Sequence, residues 1–306
     1  MGNHVPENVP KHCPGTNNEN AGKDKACAGC PNQTTCVALP KGPDPDLEEI
    51  ASNLQNVDKR ILILSGKGGV GKSSISCLLS MFLSSDSNKH VGLLDLDICG
   101  PSLPRMLGIN NESFHQGYSG YMSPVYCGFH ANTAVASVGF FIEEEAVVWR
   151  GPKKSGLIKS FLKNVDWDVQ DYLIIDTPPG TSDEHINIVN FAKPIFGAII
   201  ITGPQELSWQ DVRKEIDFCH KMNIRIIAIV INMLDFLCPS CHQVSTVYPS
   251  KRNEIIQFAK NNEVPVVSVP LNPFIAQSLD SGSLISIDTL PSEIQEPLKF
   301  IAELIS

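Results

Sequence analysis

The chain has 306 residues, with 24 Lys and Arg against 33 Asp and Glu, and its formal net charge is -9. This acidic balance argues against a nucleic-acid-binding surface. Hydrophobic residues make up 42% of the sequence, a share typical of a globular protein with a sizeable core, which excludes wholesale disorder. No apolar run approaches the roughly 18 to 20 residues that span a bilayer, so we expect no integral membrane segment.

The first 45 residues differ in composition from the rest of the chain. They contain no Phe, Trp or Tyr, and their four cysteines follow the spacing C-x13-C-x2-C-x5-C: Cys13, Cys27, Cys30 and Cys36. Such a segment buries too little apolar surface to offset its ordering entropy, so a metal centre has to cross-link it if it folds. Four thiolates suit either Zn²⁺ or a 4Fe-4S cluster, and spacing does not choose between them. Residues 40–45 are predicted to be a stiff linker, and the second domain is predicted at residues 46–306.

From Lys59 onward, short continuous apolar runs alternate with segments of helical period. Runs that are apolar on both faces indicate parallel strands covered by helices on both sides. The predicted strands are residues 61–64, 91–94, 172–175, 197–201, 226–231 and 264–269. We therefore predict a doubly wound α/β domain with a mostly parallel sheet, and a small separate β excursion within residues 117–140.

A glycine-rich segment follows the first predicted strand. Residues 66–73, GKGGVGKS, fit the pattern G-x-x-x-x-G-K-[ST] of a P-loop and lead into a helix with an apolar stripe. The chemistry needs glycines because consecutive backbone N–H groups have to turn inward around phosphate oxygens. We expect Lys72 to reach the β- and γ-phosphates and the Ser73 hydroxyl to ligate Mg²⁺. A glycine-rich turn without a ligand would not require this Lys-Ser pair.

Polar residues follow three other predicted strands. Asp95 and Asp97 come after residues 91–94, Asp176 ends residues 172–175, and Asn232 comes after residues 226–231. A carboxylate at the carboxyl edge of a parallel sheet can hold Mg²⁺ through water, which is the Walker B role predicted for Asp176. A helix-capping or surface role stays open for Asp95, and a turn-forming role for Asn232.

A second cysteine motif, Cys238-Pro239-Ser240-Cys241, supplies two thiols where common cluster sites need four. The same motif on a symmetry-related subunit would supply the other two, so the motif indicates a dimer with a bridging cluster. A redox dithiol is the alternative, but the residues around Pro239 do not predict the helix start typical of such dithiols. The other cysteines are expected to be plain thiols: Cys77, Cys99, Cys127 and Cys219. His12 and His242 adjoin cysteines and are weak ligand candidates.

Several motifs together resemble a known family. The P-loop lysine pair, Lys67 and Lys72, is similar to the deviant Walker A motif of nucleotide-dependent dimerising ATPases. With the four-cysteine N-terminus, SGKGGVGKSS, DLDICGPS, WRGPKK at 149–154, DYLIIDTPPGTSDEH and CPSC, nearly the whole chain resembles the Mrp-like cytosolic iron-sulfur cluster assembly scaffold ATPases. The N-terminal cysteines are the most discriminating part, because relatives without them share the ATPase core and the C-x-x-C motif.

The resemblance implies residue roles in a weak ATPase. Lys67 would reach the partner's nucleotide, Asp97 would position or deprotonate the attacking water, and the Gly180 amide would sense the γ-phosphate. Asn232 would read the adenine. The catalytic residues would be Lys67, Lys72 and Asp97. The implied contacts to ATP are Gly66, Lys67, Gly68, Gly69, Val70, Gly71, Lys72, Ser73 and Ser74, with Asp176 and Asn232.

The resemblance also implies clusters and partners. Two chains would assemble a bridging 4Fe-4S cluster on Cys238 and Cys241 and transfer it to cytosolic and nuclear apoproteins, while each chain would hold a more stable 4Fe-4S cluster on the N-terminal cysteines. The assembly would be a homodimer, or a heterotetramer with a related P-loop ATPase. We expect a cytoplasmic location, with the nucleus as an additional one. The chain departs from the family in lacking glycine at 242–251 and in carrying Asn272 where Asp is common.

Three other functions stay open. One is an ATP-driven reductase like the nitrogenase iron protein, which lacks the N-terminal cysteine module. The second is a zinc-binding adaptor with a P-loop. The third is a membrane-cycling partition ATPase, although residues 285–306 do not read as the basic amphipathic helix that such proteins use.

Overall fold

The computed structural model describes residues 20–38, 44, 46–98, 100–117, 120–141, 151–241, 243–246 and 252–306. It divides the chain into two compact units, residues 1–48 and 49–306. The predictions made for Cys13, Cys99, His12, His242 and all of the linker except Asp44 lie outside the described residues.

The described part of the first unit is a turn followed by a short helix. A 3-10 turn spans Lys25–Cys27, and α1 spans Gln33–Ala38. The N–H of Cys30 donates to the carbonyl of Cys27 at 3.1 Å, so these two cysteines lie in one turn. Cys27 and Cys36 are buried and Cys30 is half-buried.

The second unit is a mostly parallel sheet with helices on both faces, which confirms the predicted α/β fold. Its strands are β1 (Val57–Leu64), β2 (Val91–Asp95), β3 (His115–Gln116), β4 (Met122–Ser123), β5 (Val125–Cys127), β6 (Thr133–Ser137), β7 (Gln170–Asp176), β8 (Gly197–Thr202), β9 (Ile226–Leu237), β10 (Val244–Thr246) and β11 (Val266–Leu271). The helices after α1 are α2 (Asp46–Asn53), α3 (Lys72–Leu83), α4 (Leu103–Met106), α5 (Gly151–Asn164), α6 (Asp183–Phe191), α7 (Glu206–Lys221), α8 (Arg252–Asn261), α9 (Pro273–Ser281) and α10 (Ser292–Ile305).

The strand order of the main sheet is β10-β9-β8-β1-β7-β2-β6-β5, and β11 pairs with β9. Strands β8, β1, β7 and β2 are mutually parallel, so their carboxyl ends meet at one edge. In this register Asp176 lies beside both Ile63 and Asp95. The topology alone therefore brings the P-loop and the predicted carboxylates together.

The prediction for residues 117–140 is wrong in part. β3 and β4 do form a separate pair, but β6 joins the main sheet parallel to β2, and β5 pairs with β6 antiparallel. Ala134, Val135 and Ala136 are fully buried in β6. These three side chains are small and lie in a region rich in Gly, Ser and Tyr. The apolar content of the region is therefore too low for the sequence to predict a buried strand.

Each face of the sheet has its own apolar core. In β1, Ile61 and Ile63 pack on the face that carries α3 and α10, whereas Leu62 and Leu64 pack on the face that carries α5, α6 and α7. This double burial is the reason that the strand reads as a continuous apolar run.

The buried Arg60 of β1 joins two helix ends. Its guanidinium donates to the carbonyls of Ala192 at 3.2 Å and Lys193 at 2.5 Å, after the end of α6. It also donates to the carbonyl of Leu54, after the end of α2. Carbonyls at helix carboxyl ends carry partial negative charge, so a cation there stabilises both helices.

None of the helices in the described ranges is long and apolar enough to cross a membrane. The last helix, α10, turns Ile294, Leu298, Ile301 and Ile305 into the core that contains α3. Its apolar face is therefore occupied by the protein's own interior.

One carboxyl group of α7 is buried without a visible partner. Glu215 is fully buried, and among the described residues neither of its carboxyl oxygens has a hydrogen-bond partner. Burial, and to a lesser degree the nearby Asp211, raises the pKa of Glu215 to about 8. The carboxyl group is therefore mostly protonated at neutral pH.

This shift predicts a pH dependence of stability. The pKa of Glu215 is higher in the folded than in the unfolded protein. The stability that its protonated form contributes is therefore fully present below about pH 4.5 and is lost as the pH rises to about 8. The E215Q side chain stays neutral at every pH. The unfolding free energy of wild type should therefore fall by about 2 to 4 kcal/mol more than that of E215Q over this pH range. Urea unfolding at pH 5 and pH 8.5 measures the difference. E303Q, on the exposed side of α10, controls for the loss of one acidic group; equal pH slopes in E215Q and wild type would contradict the assignment.

Candidate nucleotide site and cysteine hairpin

The P-loop lies between β1, which ends at Leu64, and α3, which begins at Lys72. Gly69 and Gly71 have φ angles of 79° and 83°, a left-handed conformation that favours glycine. Gly71 is the N-cap of α3, and no side chain caps this helix end. The first N–H groups of α3 are thus available to an anion.

The loop borders a cleft of about 450 Å³, a size suited to a small-molecule ligand. Most of the predicted ATP-contacting residues line this cleft, as do the end of β11 and the N-cap residue of α9. The lining includes Lys67, Gly68, Gly69, Gly71, Lys72, Ser73, Ser74, Asp97 and Asn232, together with Val269, Pro270, Leu271 and Asn272. Lys67 is exposed at the cleft.

Lys72 and Asp176 form a buried ion pair. The Lys72 Nζ lies 2.7 Å from Oδ2 of Asp176, and the two side chains are 6% and 0% exposed. The Ser73 hydroxyl donates to Oδ2 of Asp176 at 2.6 Å, and the Ser76 hydroxyl donates to Oδ1 at 2.7 Å. The structure thus joins the predicted Walker B carboxylate to the predicted Mg²⁺-ligating serine. The sequence analysis missed Ser76, which lies one helical turn after Lys72.

Asp97 lies next to this pair, and Asp95 anchors its loop. Oδ2 of Asp97 is 3.9 Å from Nζ of Lys72. The carboxylate of Asp95 accepts the N–H of Asp97 at 3.1 Å, the Ser137 hydroxyl at 2.9 Å and the N–H of Leu103, the first residue of α4, at 3.4 Å. Because Asp95 is fully buried, a surface role is wrong for it, and its carboxyl group instead connects the residues after β2 with β6 and the start of α4.

The charges of this cluster suit a divalent cation. One ammonium group, on Lys72, faces the carboxyl groups of Asp95, Asp97 and Asp176. Burial, and to a lesser degree the Asp176 carboxylate, raises the pKa of Asp95. Carboxylate and hydroxyl oxygens are ligands that Mg²⁺ prefers, so the residues present fit that ion.

Asn232 lies inside β9, so the alternative of a turn-forming Asn is wrong. Its Nδ2 donates to the Val70 carbonyl at 2.9 Å. A Cβ on Gly71 would lie 2.2 Å from the same nitrogen, so this amide would have to move for any larger residue, and the φ of 83° also favours glycine. The side chain therefore braces the P-loop from the cleft side, a contact that the sequence did not predict, and its role in reading adenine stays a prediction.

The loop at 177–180 is hydrogen-bonded to the end of β1 and to Ser65, the residue before the P-loop. The Thr177 hydroxyl donates to the Ile63 carbonyl at 2.7 Å, and the Gly180 N–H donates to the Ser65 carbonyl at 2.7 Å. Pro178 and Pro179 have no N–H groups, so these contacts bear most of the attachment of the loop on this side.

The C-x-x-C motif occupies the turn of the hairpin between β9 and β10. Cys238 is half-buried and Cys241 is exposed. The N–H groups of Cys241 and Ser240 lower the pKa of the Cys238 thiol, which favours the thiolate form that ligates metals. The motif lies between two strands rather than at the start of a helix, which speaks against the redox-dithiol alternative.

The other cysteines divide into two groups. Burial raises the pKa of Cys127 and Cys219 to about 12 and that of Cys77 further above its usual range, as expected for core thiols. The structure does not gather Cys27, Cys30 and Cys36 into a preformed site. Over the described ranges, no group of three or more His, Cys, Asp or Glu side chains is placed to hold a metal ion.

Gly66 packs directly on α7. A Cβ at this position would lie 2.4 Å from Cβ of Asp211 and 2.8 Å from its carbonyl carbon, whereas a Cβ on Gly68 would meet nothing within 4 Å. We expect G66A to lower the unfolding free energy by about 1 to 3 kcal/mol because backbone has to move. G68A, the matched control, should change it by less than about 1 kcal/mol. Equal unfolding midpoints for the two variants in urea would refute this packing argument.

Solved structures share this architecture. A nucleotide-binding protein from Archaeoglobus fulgidus, in complex with ADP, is 31% identical to this chain and has a TM-score of 0.67; the match covers 77% of this chain and 91% of that one. The septum site-determining protein MinD from Pyrococcus horikoshii, complexed with Mg-ADP, is 20% identical over 82% and 96% of the two chains, with a TM-score of 0.57. The cell division ATPase MinD from Pyrococcus furiosus is 22% identical over 81% and 98%, with a TM-score of 0.55.

The MinD structures support the fold alone. The sequence profile of the ParA group described as NUBPL iron-transfer P-loop NTPase matches residues 56–306, which include the P-loop, the carboxylate cluster and the cysteine hairpin. The chain therefore belongs to the family of NUBPL iron-transfer P-loop NTPases.

Proposed function

We propose that this protein is an ATP-dependent scaffold that assembles a 4Fe-4S cluster at a subunit interface and transfers it to cytosolic and nuclear apoproteins. The observation that carries the proposal is the course of β9. Within this strand Asn232 braces the P-loop, and Cys238 follows the last residue of the strand. One continuous element thus connects the nucleotide cleft to the cysteine hairpin.

The nucleotide in this proposal is ATP with Mg²⁺. ADP is bound by the Archaeoglobus fulgidus relative, which supports the same ligand class here. Ser73 and, through water, Asp176 would hold Mg²⁺, which supplies positive charge to the phosphate oxygens when bound. Lys72 binds the β- and γ-phosphates, Asp97 orients the attacking water, and Lys67 is free to reach the nucleotide of a second subunit.

The cluster is the substrate of the scaffold. Cys238 and Cys241 provide two accessible thiols, and Cys238 favours the thiolate form. Because a 4Fe-4S cluster takes four thiolates, a second chain has to supply the other pair. The assembly is then a homodimer, or a heterotetramer with a related P-loop ATPase.

The N-terminal cysteines are proposed to hold a second 4Fe-4S cluster in each chain. The proposal rests on the four thiols and their spacing, since the described part of this unit does not preform a site. Because residues 1–45 contain no Phe, Trp or Tyr for a core, this segment would gain order from these metal-sulfur bonds. The proposed location is the cytoplasm, with the nucleus as an additional one, as the resemblance to cytosolic scaffold ATPases implies.

The hydrolytic role of Asp97 is tested by D97N. The Asn side chain keeps the size of Asp97 but cannot accept a proton, so kcat for ATP should fall by about 10²- to 10⁴-fold while the affinity for ATP changes little. Phosphate release and displacement of a fluorescent nucleotide measure the two quantities. D280N, on the exposed face of α9, is the control and should retain both; an unchanged kcat in D97N would remove Asp97 from the reaction.

The scaffold role is tested by metal content. Anaerobic reconstitution with iron and sulfide should give about four irons at the N-terminal segment and about two more per chain at the shared site. The C238A/C241A double variant should lose about two irons per chain, whereas C219A, which removes a core thiol, should keep the full load.

Two results would overturn the scaffold proposal. A full iron load in C238A/C241A would show that the hairpin does not hold a shared cluster. Zinc at full occupancy without visible absorption, in protein purified under anaerobic conditions, would instead identify the zinc-binding adaptor.

A further inference from the structure

A histidine joins the loop at 177–180 to the helix that follows it. His185 lies in the first turn of α6 and is 1% exposed. Its Nε2 lies 3.0 Å from the Pro178 carbonyl, and its Nδ1 lies 3.2 Å from both the N–H and the hydroxyl of Ser182, the N-cap of α6. Both ring nitrogens are therefore engaged, one with the loop and one with the helix end.

The partners fix the tautomer. A backbone N–H only donates, so Nδ1 has to accept from Ser182, and a carbonyl only accepts, so Nε2 has to carry the hydrogen that Pro178 receives. Only the neutral ring with hydrogen on Nε2 makes both bonds. Burial lowers the pKa of His185, and the positive charge of Lys72 acts in the same direction, while the Pro178 carbonyl and Glu184 oppose it.

The ring is also held in orientation. Phe218 of α7 meets it edge to face, with the ring centroids 6.0 Å apart and the planes at 78°. On the other side of α6, Glu184 pairs with Lys154 of α5 at 2.7 Å. The imidazole therefore belongs to α6 and packs on α7, and its neighbour Glu184 ties α6 to α5.

Pro178, which accepts the hydrogen bond from His185, lies in the loop beside the nucleotide site. It lies two residues after Asp176 and two before Gly180, and with Pro179 it forms a segment that has no N–H group of its own to donate. On one side the loop is attached to the P-loop strand through Thr177 and Gly180. The bond from His185 attaches it on the side of α6.

We propose that His185 is a positioning residue for ATP hydrolysis, which fixes the Pro178 carbonyl and thereby the loop at 177–180, which follows Asp176 and carries the Gly180 amide. The inference rests on the proposed ATPase function. His185 touches neither the phosphates nor the attacking water. It acts through the position of the loop, so its loss should lower kcat rather than weaken nucleotide binding.

Two substitutions separate the two ring nitrogens. H185N places an acceptor oxygen where Nδ1 lies but does not reach Pro178. H185Q places an amide nitrogen near the position of Nε2 and can still donate to Pro178. We expect kcat for ATP to fall about tenfold in H185N with KM within about twofold of wild type, and to stay within about threefold of wild type in H185Q.

Three results would contradict the positioning role of His185. An unchanged kcat in H185N, or equal losses of kcat in both variants that follow their losses of thermal stability, would overturn the positioning role and leave only helix capping. The nitrogen NMR signals of the imidazole at pH 7 give a readout that does not need hydrolysis, and hydrogen on Nδ1 would overturn the inference. Absence of ATP hydrolysis in wild type, with hydrogen on Nε2, would contradict the proposed function and not this geometry.

Discussion

The buried contact between Lys72 and Asp176 is the constraint around which the nucleotide site is built. Burying two charges is costly unless their remaining hydrogen-bonding capacity is met, and Asp176 meets it by accepting the hydroxyls of Ser73 and Ser76 as well. All three donors come from the first turns of α3, while the acceptor comes from the end of β7. The pair therefore forms only when β1 and β7 are adjacent and parallel, as the sheet order has them.

The sequence predicts those parts of this site that lie within one motif and its immediate context. The P-loop could be predicted because glycines, a Lys-Ser pair, a preceding strand and a following helix all occur within some 25 residues. Contacts such as Asp95 with Ser137, or Gly66 with Asp211, could not, because they depend on which strand and helix lie beside each other. β6 was missed for the related reason that small residues bury little apolar area in a sheet interior.

Strand β9 shows how the two functional regions are related through the backbone. Cys238 lies six positions after Asn232, which is at most roughly 20 Å along the chain. As far as Asn232 the strand lies between β8 and β11, and beyond it the strand pairs with β11 at Phe236 and with β10 at residues 235–237. A nucleotide would change the geometry around Cys238 if it bound more tightly to one of two positions of β9 than to the other.

Helix α7 closes a circuit of contacts around the nucleotide site. Near its start Asp211 packs against Gly66 of the P-loop, and two turns later Phe218 packs against His185. His185 in turn bonds the loop at 177–180, which leans back on the P-loop. The P-loop segment and this loop are therefore joined twice, directly through Ser65 and Gly180 and indirectly through α7. Gly66 and His185 therefore each provide one of the two contacts with α7: Gly66 packs against Asp211, and His185 packs against Phe218 while it bonds Pro178.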